Sequence, residues 1–169
     1  DVDMVLPMPD SGNYAALGFA QELNIPLELG MIRNHYVGRT FIEPSQIMRE
    51  FGVKVKHNPV KELVKGKKVV VVDDSIVRGN TAIIKIKSLR LAGAKEVHMR
   101  ICCPPHKHSC FYGIDFPEKS KLIANNYSIA EIQKILDLDS LSYLSYEGML
   151  SCMKLPGKDF CTACFNGDY

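Results

Sequence analysis

Residues 69–81, Val-Val-Val-Val-Asp-Asp-Ser-Ile-Val-Arg-Gly-Asn-Thr, restrict the fold more than any other stretch of the chain. Consecutive valines cannot alternate between water and core, so the run reads as a strand buried on both faces, as in a parallel sheet. It stops at two adjacent carboxylates, Asp73 and Asp74, followed by a small hydroxylated loop containing Gly79. The loop opens into a helix over Ala82 to Leu91, with Ala82, Ile86 and Leu89 on one side and Gly93 placed to end it. The first N–H groups of a helix lack intrahelical partners and the dipole is positive there, so strand, loop and helix together make an anion cradle. That cradle comprises Ser75, Ile76, Val77, Arg78, Gly79, Asn80 and Thr81, with Ser75, Asn80 and Thr81 offering side-chain donors. Twin acids do not suit a phosphate alone. They suit vicinal hydroxyls and a hard divalent cation such as Mg²⁺. A plain surface turn would need a single capping acid or hydroxyl and leaves the rest unexplained.

A second strand, loop and helix precede this one. Val2 to Leu6 reads as a strand and residues 7–12 as a loop. Asn13 to Leu23 reads as a helix with Tyr14, Leu17 and Leu23 toward the core. Parallel strands would place Asp10 and Ser11 beside the Asp73–Asp74 loop, at the edge where open α/β sheets bind ligands. Ile25 to Ile32 reads as a further strand, interrupted by Pro26 and Gly30. Residues 33–45 then carry Arg33, His35, Tyr36 and Arg39 without a period, with Gly38 as a hinge. Long irregular connections in compact domains tend to be lids, and this one would bring positive charge over an anion and exclude water.

Farther along, Ser45 caps a short helix over 46–51, and Val53 and Val55 alternate with lysines as on an edge strand. Lys61 to Lys68 reads as a solvated connector. Val97, Met99 and Ile101 alternate with polar neighbours in another strand, and strand, helix, strand in succession argues for a parallel sheet with right-handed crossovers. Residues 104–110 read as irregular. Ser128 and Glu131 form a capping-box pattern for a helix through Leu136, Leu141 to Leu144 is a short extended run, and Tyr146 to Met153 a last helix.

At 169 residues the chain is one domain's worth, long enough for a sizeable core. No apolar run is long enough to cross a bilayer. A net charge of +2 without charge blocks points away from nucleic acid and from a membrane surface as main partners. The chain starts in mid-strand without Met and without a signal peptide, so it reads as a segment of a longer cytoplasmic protein. Its 6 cysteines gather toward the end, with Cys161 and Cys164 in a C-x-x-C and Cys110 able to join them in space, which suits a reducing compartment and a metal. With His106 and His108 nearby, zinc is one such metal. Cys102, Cys103 and Cys152 read as small buried hydrophobes.

The Val69 to Thr81 segment resembles the signature loop of the type I phosphoribosyltransferases, which bind 5-phosphoribosyl-1-pyrophosphate (PRPP). Pro9-Asp10-Ser11, the run Tyr36-Val37-Gly38-Arg39-Thr40-Phe41-Ile42, residues 110–115 and residues 161–165 resemble one branch of it, the amidophosphoribosyltransferases, over essentially the whole chain. The resemblance implies an α/β type I phosphoribosyltransferase fold: a mainly parallel twisted sheet with helices on both faces and a cysteine-bearing C-terminal extension. It implies a core with PRPP loop and lid over 1–115, an extension of the same domain over 116–169, and a glutaminase domain N-terminal to this segment.

The implied activity is transfer of an amino group to C1 of PRPP, with ammonia drawn from glutamine in the full-length enzyme. It releases pyrophosphate and gives 5-phosphoribosylamine, the first committed step of purine synthesis. By the same resemblance Asp10, Ser11 and Asp73 to Thr81 bind substrate, and Ser11, Asp73 and Asp74 meet Mg²⁺. Arg33, Tyr36 and Arg39 close on the pyrophosphate as the lid. Cys110, Cys161 and Cys164 match three ligands of a structural [4Fe–4S] cluster whose fourth lies upstream. Arg33 and His35 stand where the family commonly has Lys and Arg, and His35 makes its contact weaker and pH-dependent. A homo-oligomer inhibited by purine nucleotides is also implied. Other readings on the same fold are a nucleobase phosphoribosyltransferase, for which no base-recognition hood is found, and a non-catalytic purine regulator, which would not need the lid.

Overall fold

The computed structural model of the chain describes residues 1–34, 36, 57–116 and 118–169. Among these, one parallel sheet runs in the order β1 (Met4–Pro7), β4 (Lys68–Asp73), β5 (Glu96–Ile101), β6 (Ser140–Tyr143). The valine run is β4, second in that order, and Val69 to Val72 are each no more than 3% exposed. Two cores explain why no polar residue interrupts it. On one face α1 (Asn13–Leu23) covers Val5, Val70 and Val72. On the other, Val69, Val71, Val97 and Met99 pack beneath α3 (Asn80–Leu91) and α5 (Ile129–Ile135), with Ile86, Leu89 and Ile132 fully buried. Each large aliphatic side chain taken out of water there contributes roughly 1.5–3 kcal/mol.

Several local expectations hold to the residue. Helix α1 has the expected bounds, and α3 buries Ala82, Ile86 and Leu89 as its spacing predicts. Gly93 follows α3 at φ 96°, and its N–H donates to Arg90 O. Ser128 and Glu131 make both halves of a capping box on α5. In β5, Val97, Met99 and Ile101 are buried and the residues between them half-buried.

Other expectations are corrected. The buried residues of α1 are Ala16 and Ala20, with Ala15 and Phe19 packed beside them, whereas Tyr14, Leu17 and Leu23 are exposed, because the face that meets the valine surface is the one carrying the alanines. Residues 25–32 do not form one strand. Leu27 makes a single parallel bridge to Val5, and the chain then leaves to form β2 (Met31–Arg33), antiparallel to β3 (His57–Pro59). The supposed solvated connector contains α2 (Lys61–Val64), whose Val64 is fully buried. The last strand is a full member of the sheet, in register from His98–Ser140 to Ile101–Tyr143, and α6 (Tyr146–Ser151) ends before Met153. Cys102 and Cys152 are exposed and only Cys103 is partly sheltered, so the buried-hydrophobe reading fails for the first two. The expected helix over 46–51, the edge strand at Val53 and Val55, and the lid residues His35, Arg39 and 40–45 lie outside the described residues.

Candidate active site

The register of β1 and β4 brings the two acidic loops together. Pro7 pairs with Val72, and the Met8 N–H donates to Val72 O at 2.8 Å, so both strands release their loops at the same edge. Gly12 makes this approach possible. A Cβ there would sit 2.3 Å from Val72 O and 2.9 Å from Met8 O, so any side chain would push the first loop off the second strand. The Pro9–Asp10 peptide is cis. Asp10 and Ser11 are exposed at the tip, and the Asp10 carboxylate accepts a hydrogen bond from Arg33 Nη1 at the end of β2. Among the described residues the Arg33 Nε–H is buried without an acceptor, so this guanidinium retains one unfilled donor. Tyr36 is fully exposed, with its N–H donating to Asn34 Oδ1 at 3.0 Å.

In the second loop the twin acids separate at once. Asp73, the last residue of β4, is 6% exposed, and Asp74 is exposed. Asp73 Oδ1 accepts from the Asp74 N–H at 2.9 Å, and Asp73 Oδ2 lies 3.6 Å from Lys85 Nζ on α3. Burial pushes the Asp73 carboxyl up to about 6, opposed by Lys85 and reinforced by Asp74. Asp74 Oδ1 accepts from both N–H (2.7 Å) and Oγ–H (3.3 Å) of Ser75, the next residue of the loop. Ile76 turns into the core at 2% exposed, so only its backbone is available to a ligand. Arg78, Asn80 and Thr81 are exposed.

Gly79 caps α3 at φ 84°, a conformation that L side chains rarely adopt, and a Cβ there would lie 2.8 Å from Ile123 Cδ1. No side chain caps α3, which leaves its first-turn N–H groups for an anion. The sequence reading missed two supports of this loop. Lys85 shares the buried stripe with Ala82, Ile86 and Leu89, and its i+3 spacing from Ala82 was the available signal. The short helix α4 (Ile123–Asn126) donates its Ile123 N–H to Val77 O at 2.9 Å, and no local pattern announces that contact.

Cys110, Cys161 and Cys164 lie outside both acidic loops and are free thiols. Burial pushes the Cys164 thiol up, and nearby Cys161 and Cys110 add to the shift. The N–H groups of Lys107 and His108 both donate to Cys164 O at 3.1 Å, which ties the 104–110 segment to α7 (Ala163–Asn166). His106 has its contacts with aromatic rings and Cys103. It stacks on Phe165 at 4.8 Å, meets Phe116 edge-on at 5.0 Å and places Nε2 3.7 Å from Cys103 Sγ. Burial pushes the Cys103 thiol up to about 12. Among the described residues no three His, Cys, Asp or Glu side chains are grouped to hold a metal, whether among these cysteines or at the twin acids.

Comparison with known proteins fits this geometry. The chain is 53% identical over 169 residues to the amidophosphoribosyltransferase of Synechocystis sp., covering 100% of this chain and 34% of that protein. It is also 53% identical to amidophosphoribosyltransferase 1, chloroplastic, of Arabidopsis thaliana, covering 100% of this chain and 30% of that one. Among solved structures, the glutamine PRPP amidotransferase from B. subtilis complexed with ADP and GMP superposes with a TM-score of 0.87 at 48% identity, over 100% of this chain and 38% of its own. The chain thus spans about a third of the length of the curated relatives it matches. The family model for the phosphoribosyl transferase domain matches residues 1–131, which include both acidic loops, the sheet through β5 and the helix that follows the twin acids. By that match the chain belongs to the phosphoribosyl transferase domain family.

Proposed function

We propose that this chain is the phosphoribosyl-transferring domain of an amidophosphoribosyltransferase. In this reading, it moves an amino group to C1 of PRPP with loss of pyrophosphate and gives 5-phosphoribosylamine. One observation carries the reading: two strand-to-helix loops, each bearing an acid, leave adjacent parallel strands at one edge, and one opens into a helix terminus that no side chain caps. A sugar carrying a phosphate at one end and a pyrophosphate at the other matches that spacing of anion sites and carboxylates.

Residues Ser75 to Thr81 hold the 5′-phosphate on backbone amides, with the exposed Asn80 and Thr81 at its rim. The Asp73–Asp74 loop, with Asp74 exposed on it, faces the ribose hydroxyls, and Asp10 and Ser11 lie toward the pyrophosphate. Arg33, whose Nε–H has no acceptor among the described residues, turns its guanidinium to the departing phosphates, joined by Tyr36 and by Arg39 of the lid. The described donors at this edge, Asp10, Ser11 and Asp74, are hard oxygen, which fits Mg²⁺ held by one or two carboxylates together with substrate oxygens. When bound, that ion supplies charge neutralisation on the pyrophosphate. The nitrogen lone pair of ammonia forms the new bond to C1 as the C1–O bond breaks with inversion. The leaving pyrophosphate takes the electron pair, and the surplus proton goes to solvent. No side chain acts as nucleophile, so the chain's work is positioning and electrostatics.

On the same reading, residues 1–115 form the core with PRPP loop and lid, and 116–169 a C-terminal extension of that domain. Ammonia comes from glutamine through an N-terminal glutaminase domain of the full-length, cytoplasmic, homo-oligomeric enzyme. Purine nucleotides compete for the phosphate sites, a role supported by the ADP and GMP with which the B. subtilis relative is complexed. Cys110, Cys161 and Cys164 are three ligands of a [4Fe–4S] cluster. Three free thiols, two of them in a C-x-x-C with Cys110 near enough to bear on Cys164, support the assignment; among the described residues no three metal-ligating side chains are grouped.

The test is pyrophosphate release from PRPP by the full-length enzyme with Mg²⁺, using ammonia or glutamine as the amine source. Release without any added nucleobase is expected. A protein that needs a nucleobase, or that binds PRPP without turnover, would reject the assignment.

A further inference from the structure

The two aspartates that end β4 do different jobs, and the difference lies in a lysine outside the signature loop. Asp73 has both carboxylate oxygens engaged from within the protein, Oδ1 by the Asp74 N–H at 2.9 Å and Oδ2 by Lys85 Nζ at 3.6 Å. Each side chain of that ion pair is only 9% exposed. Lys85 sits among Ala82, Ile86 and Leu89 on the buried stripe of α3, and Asp73 is its ion-pair partner among the described residues. An ammonium does not stay buried among aliphatic side chains without a counter-charge. Asp74, by contrast, is exposed at the loop and gives one carboxylate oxygen to Ser75.

We propose that Lys85 is a positioning residue for the sugar-phosphate site, the resident counter-ion of Asp73 that occupies the oxygen a divalent cation would otherwise take. Asp74 is then the acid through which the cation and the ribose hydroxyls are met. Lys85 reaches the substrate only through Asp73, by keeping that carboxylate turned beneath the loop. The inference rests on the PRPP reading above and assigns the division of labour within it.

The experiment compares full-length wild type with Lys85→Met, Lys85→Arg, the double variant Asp73→Asn/Lys85→Met, and Asp74→Asn. Thermal unfolding is followed with and without MgCl₂ in the absence of PRPP, and the steady-state constants for PRPP are measured. Lys85→Met leaves Asp73 buried without its cation, so its Tm falls, and MgCl₂ raises it by more than it raises wild type. Asp73→Asn/Lys85→Met regains the lost Tm without magnesium. The KM for PRPP rises about tenfold in Lys85→Met, the loss typical when the group that orients a ligand is removed, while kcat changes less. Lys85→Arg, which keeps the charge, recovers most of that KM.

A wild-type KM and an unchanged magnesium response in Lys85→Met would overturn the proposal. So would a drop in Tm that neither MgCl₂ nor Asp73→Asn relieves, since that is lost packing alone. Asp74→Asn separates the two levels. If it leaves PRPP binding intact, the PRPP reading itself fails. If it abolishes binding while Lys85→Met is silent, only the role of Lys85 falls.

Discussion

The two acidic loops share an architecture and differ in how they are held. Each follows a parallel strand and precedes a helix, yet the first keeps its acid at the surface, paired with a half-exposed arginine. The second anchors its leading acid below the loop, on a buried lysine. An exposed pair between long side chains is worth little and exchanges partners readily, whereas a buried pair costs much to break. The leading acid of the second loop is therefore fixed before a ligand arrives, whereas the Asp10 side chain of the first can change partner. That suits one end of a substrate that is retained and another that departs.

The largest test of this contrast is Asp74→Asn, which removes the exposed acid of the preformed loop. Turnover of PRPP is expected to fall on the order of 10²–10³-fold, the scale seen when a preorganised charge-stabilising group is lost, with little change in Tm. Next comes pH. The native carboxyl of Asp73 sits at about 6 against an ordinary 3.8, so the folded state binds this proton more tightly than the unfolded chain. Stability from that proton is complete below about pH 4 and is lost as pH rises through about 6, amounting to roughly 3 kcal/mol. Denaturant unfolding across that window should show the decline, and Asp73→Asn should flatten it. A decline that persists in the variant would assign it to another group.

Gly12→Ala tests the contact between the loops. Its new methyl would meet Val72 O, and a loss of about 1–3 kcal/mol is expected in denaturant unfolding, the usual cost of overpacking. The smallest effect belongs to Asp10→Asn, which breaks the surface pair with Arg33 and should change stability by less than about 1 kcal/mol. A larger loss would show that the first loop is as firmly anchored as the second.

Local chemistry announced both loops well in advance of the fold. A valine run ending in two acids and a glycine before a helix has few structural solutions, and the capping box at Ser128 and Glu131 is complete within its own four residues. Relations between distant segments were not legible in this way. An apolar stripe on α1 suggests Tyr14, Leu17 and Leu23 as the inner face, but the nearness of the valine sheet selects Ala16 and Ala20. Lysine in a helix reads as solvated until the end of β4 is seen to lie over it. The contact from Ile123 to Val77 joins residues far apart in sequence, and neither residue type hints at the other.

What the chain's sequence determined alone is the chemistry on offer: a strand with no polar face, carboxylates and hydroxyls at its end, and a helix start with spare N–H groups. Those follow from side-chain type and short-range backbone geometry, which act within a few residues. The tertiary structure alone decided which of two neighbouring aspartates is buried, which cation neutralises it, and which loops share an edge. Burial and pairing depend on what the rest of the chain brings alongside, and the cost of an uncompensated buried charge makes those placements mutually exclusive.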